Sequence, residues 1–323
     1  MKIKSLVLAI SAALCTTGAW ADNNVTTNTS GNYNTLTASQ QGGDGNSISI
    51  TQTTDFNQSS VSQNGSSNAA SVNQYDFGNT AAITQYYGYG DTADITQSGY
   101  YNSATIYQSS YSNGNTASIS QYNPYSWLNG NTASITQDAG YGNNASITQS
   151  GYGNQASITQ EGTYSTATIN QQGNNNSASI SQTANNSQAG ISQVGDSNSV
   201  TIQQANNASP QITQSGTGNT ITINNQLWNN QNTQYITQTG LSDTANINQS
   251  GGTNNYASVT QSGNYDTANI VQGGQEADSI TVNQTGDSNL ATINQDIYGP
   301  NGYNDIVNVT QSGYGNTATI TQQ

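Results

Sequence analysis

An isoleucine or valine two residues ahead of a glutamine recurs along almost the whole chain, and the commonest step from one such Gln to the next is 11 residues. Polar and apolar positions alternate around each anchor. In Asn143-Asn144-Ala145-Ser146-Ile147-Thr148-Gln149 the residues Asn143, Ala145, Ile147 and Gln149 fall on one face, and Asn144, Ser146 and Thr148 on the other. A period of two is the signature of a strand, and β-branched Ile and Thr favour the same conformation. Gly, Asn, Asp and Ser fill the intervening positions, as turns require. The pattern predicts about seven strand residues and four turn residues per unit, and twenty-five such units in all. A short fixed period means one structural unit stacked on copies of itself.

A strand whose inner face offers only Ala and Ile between amides holds no core alone. Two units joined into a coil of about 22 residues allow like positions to stack at ~4.8 Å in a parallel, in-register array. The expected architecture is therefore all-β, a two-sheet β-solenoid of cross-β character with two strands per coil. Ile83, Ile95, Ile135, Ile147, Ile158, Ile169, Ile180, Ile293 and Ile320 are the expected stacked core. Asn79, Gln85, Gln97, Asn131, Gln137, Asn143, Gln149, Asn154, Gln160, Gln171, Gln182, Asn316 and Gln322 are the expected amide ladders. In such a ladder each amide donates to the copy on one side and accepts from the copy on the other, which is how so much buried amide is satisfied.

Charge sharpens this picture. Residues 1–21 read as a signal peptide: Lys2 and Lys4, an apolar run from Leu6 to Leu14, then Ala19-Trp20-Ala21 as a cleavage site. Ala12-Ala13-Leu14 is a poor lipobox for Cys15. On that reading the mature chain starts at Asp22 and holds no Lys, Arg, His or Cys, while all 16 acidic residues remain. Nucleic-acid binding, attraction to anionic lipid, disulfides, His or Cys metal sites, and Ser-His-Asp, Cys-His or Schiff-base chemistry each lose a required member. No catalytic, cofactor or metal set and no membrane-inserting segment is expected. In-register stacking also explains the scarcity of charge, because it sets like charges ~5 Å apart. Asp91, Asp243, Asp266 and Asp278 replace the opening Asn of a unit, and Asp138, Glu161, Asp196 and Asp287 lie in turns. All read as solvated turn residues. A sharper reading makes Asp91, Asp138, Asp243, Asp266, Asp278 and Asp287 gatekeepers that slow premature aggregation.

Tandem Q-x-G-x-x-N-x-A-x-I-x-Q units, best formed at Gln149 to Gln160, Gln160 to Gln171 and Gln311 to Gln322, follow a signal peptide and a polar lead. In this the chain resembles the curlin family, the major subunits of curli fibres. The resemblance covers essentially the whole mature chain. It implies an extracellular functional amyloid of the biofilm matrix that polymerises with itself and supports adhesion. It also implies export through an outer-membrane pore, with residues 22–45 as a sorting segment that holds a weak first repeat at Asn34 to Gln40, ahead of repeats at 46–323, and a nucleator subunit as partner. The chain departs from the familiar form in its larger number of units, in the absence of basic residues from its mature part, and in long turns around Tyr122 to Gly130 and Asp296 to Asn304.

Some features fall outside the consensus. Tyr is abundant in the turns around Tyr75 to Tyr125, either as an adhesive aromatic rim or as filler. Pro210 takes an inward Ala position and removes a ladder donor, and Asn225 replaces the closing Gln of the next unit. Pro210 to Asn225 is therefore expected to be a weak joint or bulge. Gly42 to Asn46 resembles a calcium-binding nonapeptide fragment, but it occurs once and supplies no ligand set. An uncapped final unit ending at Gln322 offers a template for another copy. The alternative reading is a monomeric solenoid that binds ice or a surface through Ser/Thr rows such as Ser146 and Thr148. A β-helix enzyme acting on polysaccharide lacks any recognisable catalytic set.

Overall fold

The computed structural model describes residues 22–109, 113–205, 207–226, 230–273, 277–296 and 305–322, together with the backbone of strand Val7–Ala12. The other residues of the expected signal peptide, and the long turn that holds Pro300, lie outside these. The chain divides into two compact units, Met1–Tyr164 and Ser165–Gln323. Each is a two-sheet parallel β-solenoid, and the described regular structure of each is all strand.

The alternation of the sequence dictates this arrangement. Each strand pairs in parallel with the strand two along in the chain, so alternate strands build separate sheets. In the first unit one sheet contains Thr35–Gln41, Gln58–Ser66, Thr80–Tyr89, Ser103–Ser109, Thr132–Asp138 and Gln155–Gln160, with Val7–Ala12 at its outer edge. The facing sheet contains Asn24–Thr29, Ser47–Gln52, Ala69–Gln74, Thr92–Gly99, Thr116–Asn123 and Asn144–Ser150. The second unit repeats the plan. Thr166–Asn174 through Ile306–Tyr314 form one sheet, and Ser177–Gln182 through Thr317–Gln322 form the other.

Register follows the repeat position by position. Ala117, Ile119 and Gln121 pair with Ala145, Ile147 and Gln149. Ile135 lies between Ile106 and Ile158. The inner positions are closed to solvent, with Ile95, Ile135, Ile147, Ile158 and Ile169 all fully buried. Removing each such side chain from water contributes about 1.5–3 kcal/mol. Ile320 differs: it stands in the outermost strand and is half-buried.

One detail differs from the sequence expectation. Successive ladder glutamines stand 22 or 23 residues apart in regular coils and up to 29 where a turn is long, so the coil is roughly 23 residues rather than 22. The polar segment 22–45, which holds the weak first repeat, is part of the stack. Asn24–Thr29 and Thr35–Gln41 pair with the strands that follow, and Leu36 and Ala38 are buried.

Candidate functional site

The stack itself, with its edge strands, is the candidate site. Its first component is a glutamine ladder. Gln63 Nε2 donates to Gln85 Oε1 at 2.8 Å, Gln85 to Gln108 at 2.9 Å, Gln108 to Gln137 at 2.8 Å and Gln137 to Gln160 at 2.9 Å. On the facing sheet Gln97 donates to Gln121 and Gln121 to Gln149. In the second unit Gln171 donates to Gln193, and Gln182 to Gln204. The second proton of Nε2 is also used: Gln97 donates to the Thr80 carbonyl at 2.9 Å and Gln137 to that of Thr116 at 3.0 Å. Each Gln thus links its own ladder to the opposite sheet.

Asparagine works differently from a simple amide ladder. Asn79 Oδ1 accepts the backbone N–H of Asn102 in the next coil at 3.0 Å. Its Nδ2 donates to the Tyr75 carbonyl of its own turn at 2.8 Å and to the Gly99 carbonyl of the next at 2.9 Å. Asn131 donates likewise to Tyr122 and Gly151, and Asn143 to Gly162. Asn154 donates to Asn131 Oδ1 and to the Ser150 carbonyl. Asn316, half-buried, donates to Asn289 Oδ1 and Ser312. Asn is therefore the residue that ties each turn to its neighbour, chiefly through backbone groups.

Those carbonyls belong to a third ladder. In the second unit Gly173, Gly195, Gly216, Gly240, Gly263, Gly286 and Gly313 all take positive φ, between +109° and +152°. A Cβ on Gly263 would lie 1.7 Å from the Gly286 carbonyl oxygen, so only glycine permits this approach. Asn198, Asn219 and Asn289 donate to the Gly216, Gly240 and Gly313 carbonyls.

Each invariant position of the phrase now has a physical task. The family model of the curlin associated repeat matches residues 43–75, 88–122, 140–173 and 173–205. This chain is a curlin-like repeat protein. No curated protein sequence matches it. Curlin repeats are structural rather than enzymatic, and with the solenoid they support a curli-type structural subunit.

The acidic residues of this curlin-like chain require a correction. Asp91, Asp243, Asp266 and Asp278 are buried, not solvated. Each occupies the Asn position and does half of its work. Asp91 Oδ1 accepts from Asn115 N, Asp243 Oδ1 from Asp266 N, Asp266 Oδ1 from Asn289 N and Asp278 Oδ1 from Asp305 N, at 2.9–3.2 Å. Burial pushes the Asp243 carboxyl up to about 6, against backbone N–H bonding that lowers it. Burial also raises Asp266 and Asp278. Asp138 and Asp287 do lie at turns, half-buried, and accept from Ser109 Oγ and Asn264 Nδ2.

The stretch singled out by Pro210 and Asn225 is irregular and also repaired. Pairing between Asn207–Thr217 and Asn230–Leu241 shifts register between Asn207 and Ser209, and Pro210 itself is buried opposite Gln234. Asn225 is one methylene too short to continue its ladder. Gln234, which sits in an Ala position of the opposite sheet, crosses the core instead. Its Nε2 donates to Asn225 Oδ1 at 3.0 Å and to Gln249 Oε1. Sequence reasoning missed Gln234. The available signal was a Gln in an Ala slot immediately after the unit that lacks its own Gln.

The aromatic turns also form rows. Tyr33, Phe56, Phe77 and Tyr101 follow one another with ring centroids 4.9, 5.0 and 5.7 Å apart, the first pair stacked, the second tilted and the third edge to face. Tyr33, Phe56 and Tyr101 remain exposed. Among the described residues no group of three or more acidic side chains gathers as a metal site, and no helix is long and apolar enough to cross a membrane.

Proposed function

We propose that the protein is a secreted structural subunit that polymerises end to end into curli-type amyloid fibres of the biofilm matrix, supporting adhesion and aggregation. One observation carries this reading. Among the described residues the edge strand Thr317–Gln322 has the same sequence pattern as the interior strands and pairs in register with Leu290–Asp296 on one side. Among the described residues Ile320 and Gln322 have one sheet neighbour, where Ile135 and Gln137 have two. A second copy supplies the other.

The ladders give the joint a direction. Along the Gln-to-Gln ladders of each unit, Nε2 donates to the Gln of the higher-numbered coil. In the second unit Gln311 and Gln322 thus present Nε2 on the outer side of the edge strands, while in the first unit Gln52 Oε1 is buried beneath Asn24–Thr29 without a donor. Head-to-tail addition sets these donors toward the acceptor side of a ladder in the next copy. Cleavage after Ala21 would remove Val7–Ala12 and leave Thr35–Gln41 as an outer strand. The family resemblance supports a nucleator subunit and an outer-membrane secretion pore as partners, with residues 22–45 as the sorting signal. Asp138 and Asp287, at the turn surface, are the acids best placed to slow premature association. The exposed row from Tyr33 to Tyr101 is the proposed adhesive rim.

Seeding tests the reading. Sheared fibres of the mature protein, added at a few per cent to fresh monomer, are expected to shorten or abolish the lag of assembly. An unchanged lag contradicts templating at the outer strand. Thermal hysteresis by a chain that stays monomeric would favour a surface-binding solenoid instead.

A further inference from the structure

We propose that Asp243, Asp266 and Asp278 form a proton-dependent lock that holds the coils around them closed only while these carboxyls are neutral. The argument starts from what the same position does when it is Asn. Asn219 and Asn289 flank Asp243 and Asp266 in one turn row. Each spends Oδ1 on the backbone N–H of the next coil and Nδ2 on two carbonyls, that of the residue four before it and that of a ladder glycine. Asp243 and Asp266 keep the first bond. Their Oδ2 atoms stand where Nδ2 would be, and are buried without a hydrogen-bond partner. Asp278 repeats this in the other turn row, beside Asn255, whose Nδ2 donates to the Gly251 carbonyl.

An ionised carboxylate has no proton to offer at Oδ2, so it meets carbonyl oxygens acceptor to acceptor. A neutral carboxyl carries an O–H there and reproduces the Asn donor. Asp and Asn are otherwise nearly isosteric, so the fold accepts the acid in only one of its two states.

Compensation is confined to Oδ1, which accepts the next backbone N–H in each acid and, in Asp266, also Asn289 Nδ2 at 3.0 Å. Asp243 faces Asn219 below and Asp266 above, with Asp287 near both. Asp278 faces Asn255 and Asp305. The chain has no His, and its only basic side chains are Lys2 and Lys4, outside the described residues. Ionising one acid of a stacked pair makes ionising its neighbour harder. Asp91 stands alone in its row, between Asn68 and Asn115, and is not included.

The direction with pH follows. Folding raises the proton affinity of these groups, so their contribution is complete below the ordinary carboxylate range. It is lost as pH rises through the folded value, about 6 for Asp243. The strands Thr244–Ser250, Thr267–Gly273 and Leu290–Asp296 are thus firm in mild acid and loosened at neutral pH.

Hydrogen exchange on the full mature chain tests this, with rates corrected for intrinsic pH dependence. Between pH 4.5 and 7.5 the protection of residues 244–293 is expected to fall about tenfold or more. Residues 177–202, whose row holds Asn176 and Asn198, serve as the internal control and should change less than about twofold. A D243N/D266N/D278N variant should match the wild type at pH 4.5 and keep its protection at pH 7.5. Equal pH dependence of the two segments in the wild type overturns the proposal, as does a variant that loses protection in parallel with the wild type. Because the segments are compared within one molecule, this outcome is separate from whether the protein forms fibres.

Discussion

Gly263→Ala is expected to destabilise its unit by more than about 4 kcal/mol, or to detach the local turn from the stack. The added Cβ would sit 1.7 Å from the Gly286 carbonyl oxygen and 2.6 Å from its carbonyl carbon, both backbone atoms. Relief requires moving one coil away from the next, which also lengthens the glutamine ladder at Gln261 and Gln284. The φ of +152° adds a strain of its own, about 1–3 kcal/mol. Gly90→Ala separates the two effects. Its φ is +73°, but nothing lies within 4 Å of the added Cβ, so only the conformational cost of about 1–2 kcal/mol applies. Urea midpoints of the two variants against wild type give the comparison. Equal losses would mean that the close approach between turns is not a constraint.

Ile135→Ala is the second large effect. Ile135 is fully buried between Ile106 and Ile158, with sheet neighbours on both sides that hold the walls of any cavity in place. Such rigid sites show the upper part of the usual range, and about 2–5 kcal/mol is expected. Ile135→Val should cost only about 0.5–1.5 kcal/mol, because Val61, Val72 and Val259 fill the same inner position elsewhere. Ile320→Ala in the half-buried outer strand should cost less than Ile135→Ala in the monomer. Denaturation midpoints measure all three, and an Ile135→Ala loss below about 1 kcal/mol would remove the stacked isoleucines as the core.

The fold was legible because its signals are periodic. Alternation marks the strands, the shared spacing marks the register, and Ile83 or Gln137 carries the same instruction in every copy. What escaped the sequence was whatever depends on the neighbouring coil. Asn79 is an ordinary inward amide until its bonds to Tyr75, Asn102 and Gly99 appear, and all three of those partners are backbone groups. Asp243 and Asp266 read as turn acids because Asp favours turns and water. The Asn position demands one acceptor, which Asp supplies, and the protonation state that makes the rest acceptable is not written in the residue. Gln234 was missed because its role spans both sheets. It compensates Asn225 across the core, whereas repeat logic compares each residue only with its like position.

The central claim is that one stacking rule joins coils within a molecule and molecules within a fibre. X-ray diffraction from aligned fibres of the purified mature chain, residues 22–323, tests it most directly. The account predicts a sharp meridional reflection near ~4.7–4.8 Å, from strands lying across the fibre axis at the spacing of the coils. A chain that remains monomeric, or fibres whose ~4.7 Å reflection is absent or equatorial, would contradict it.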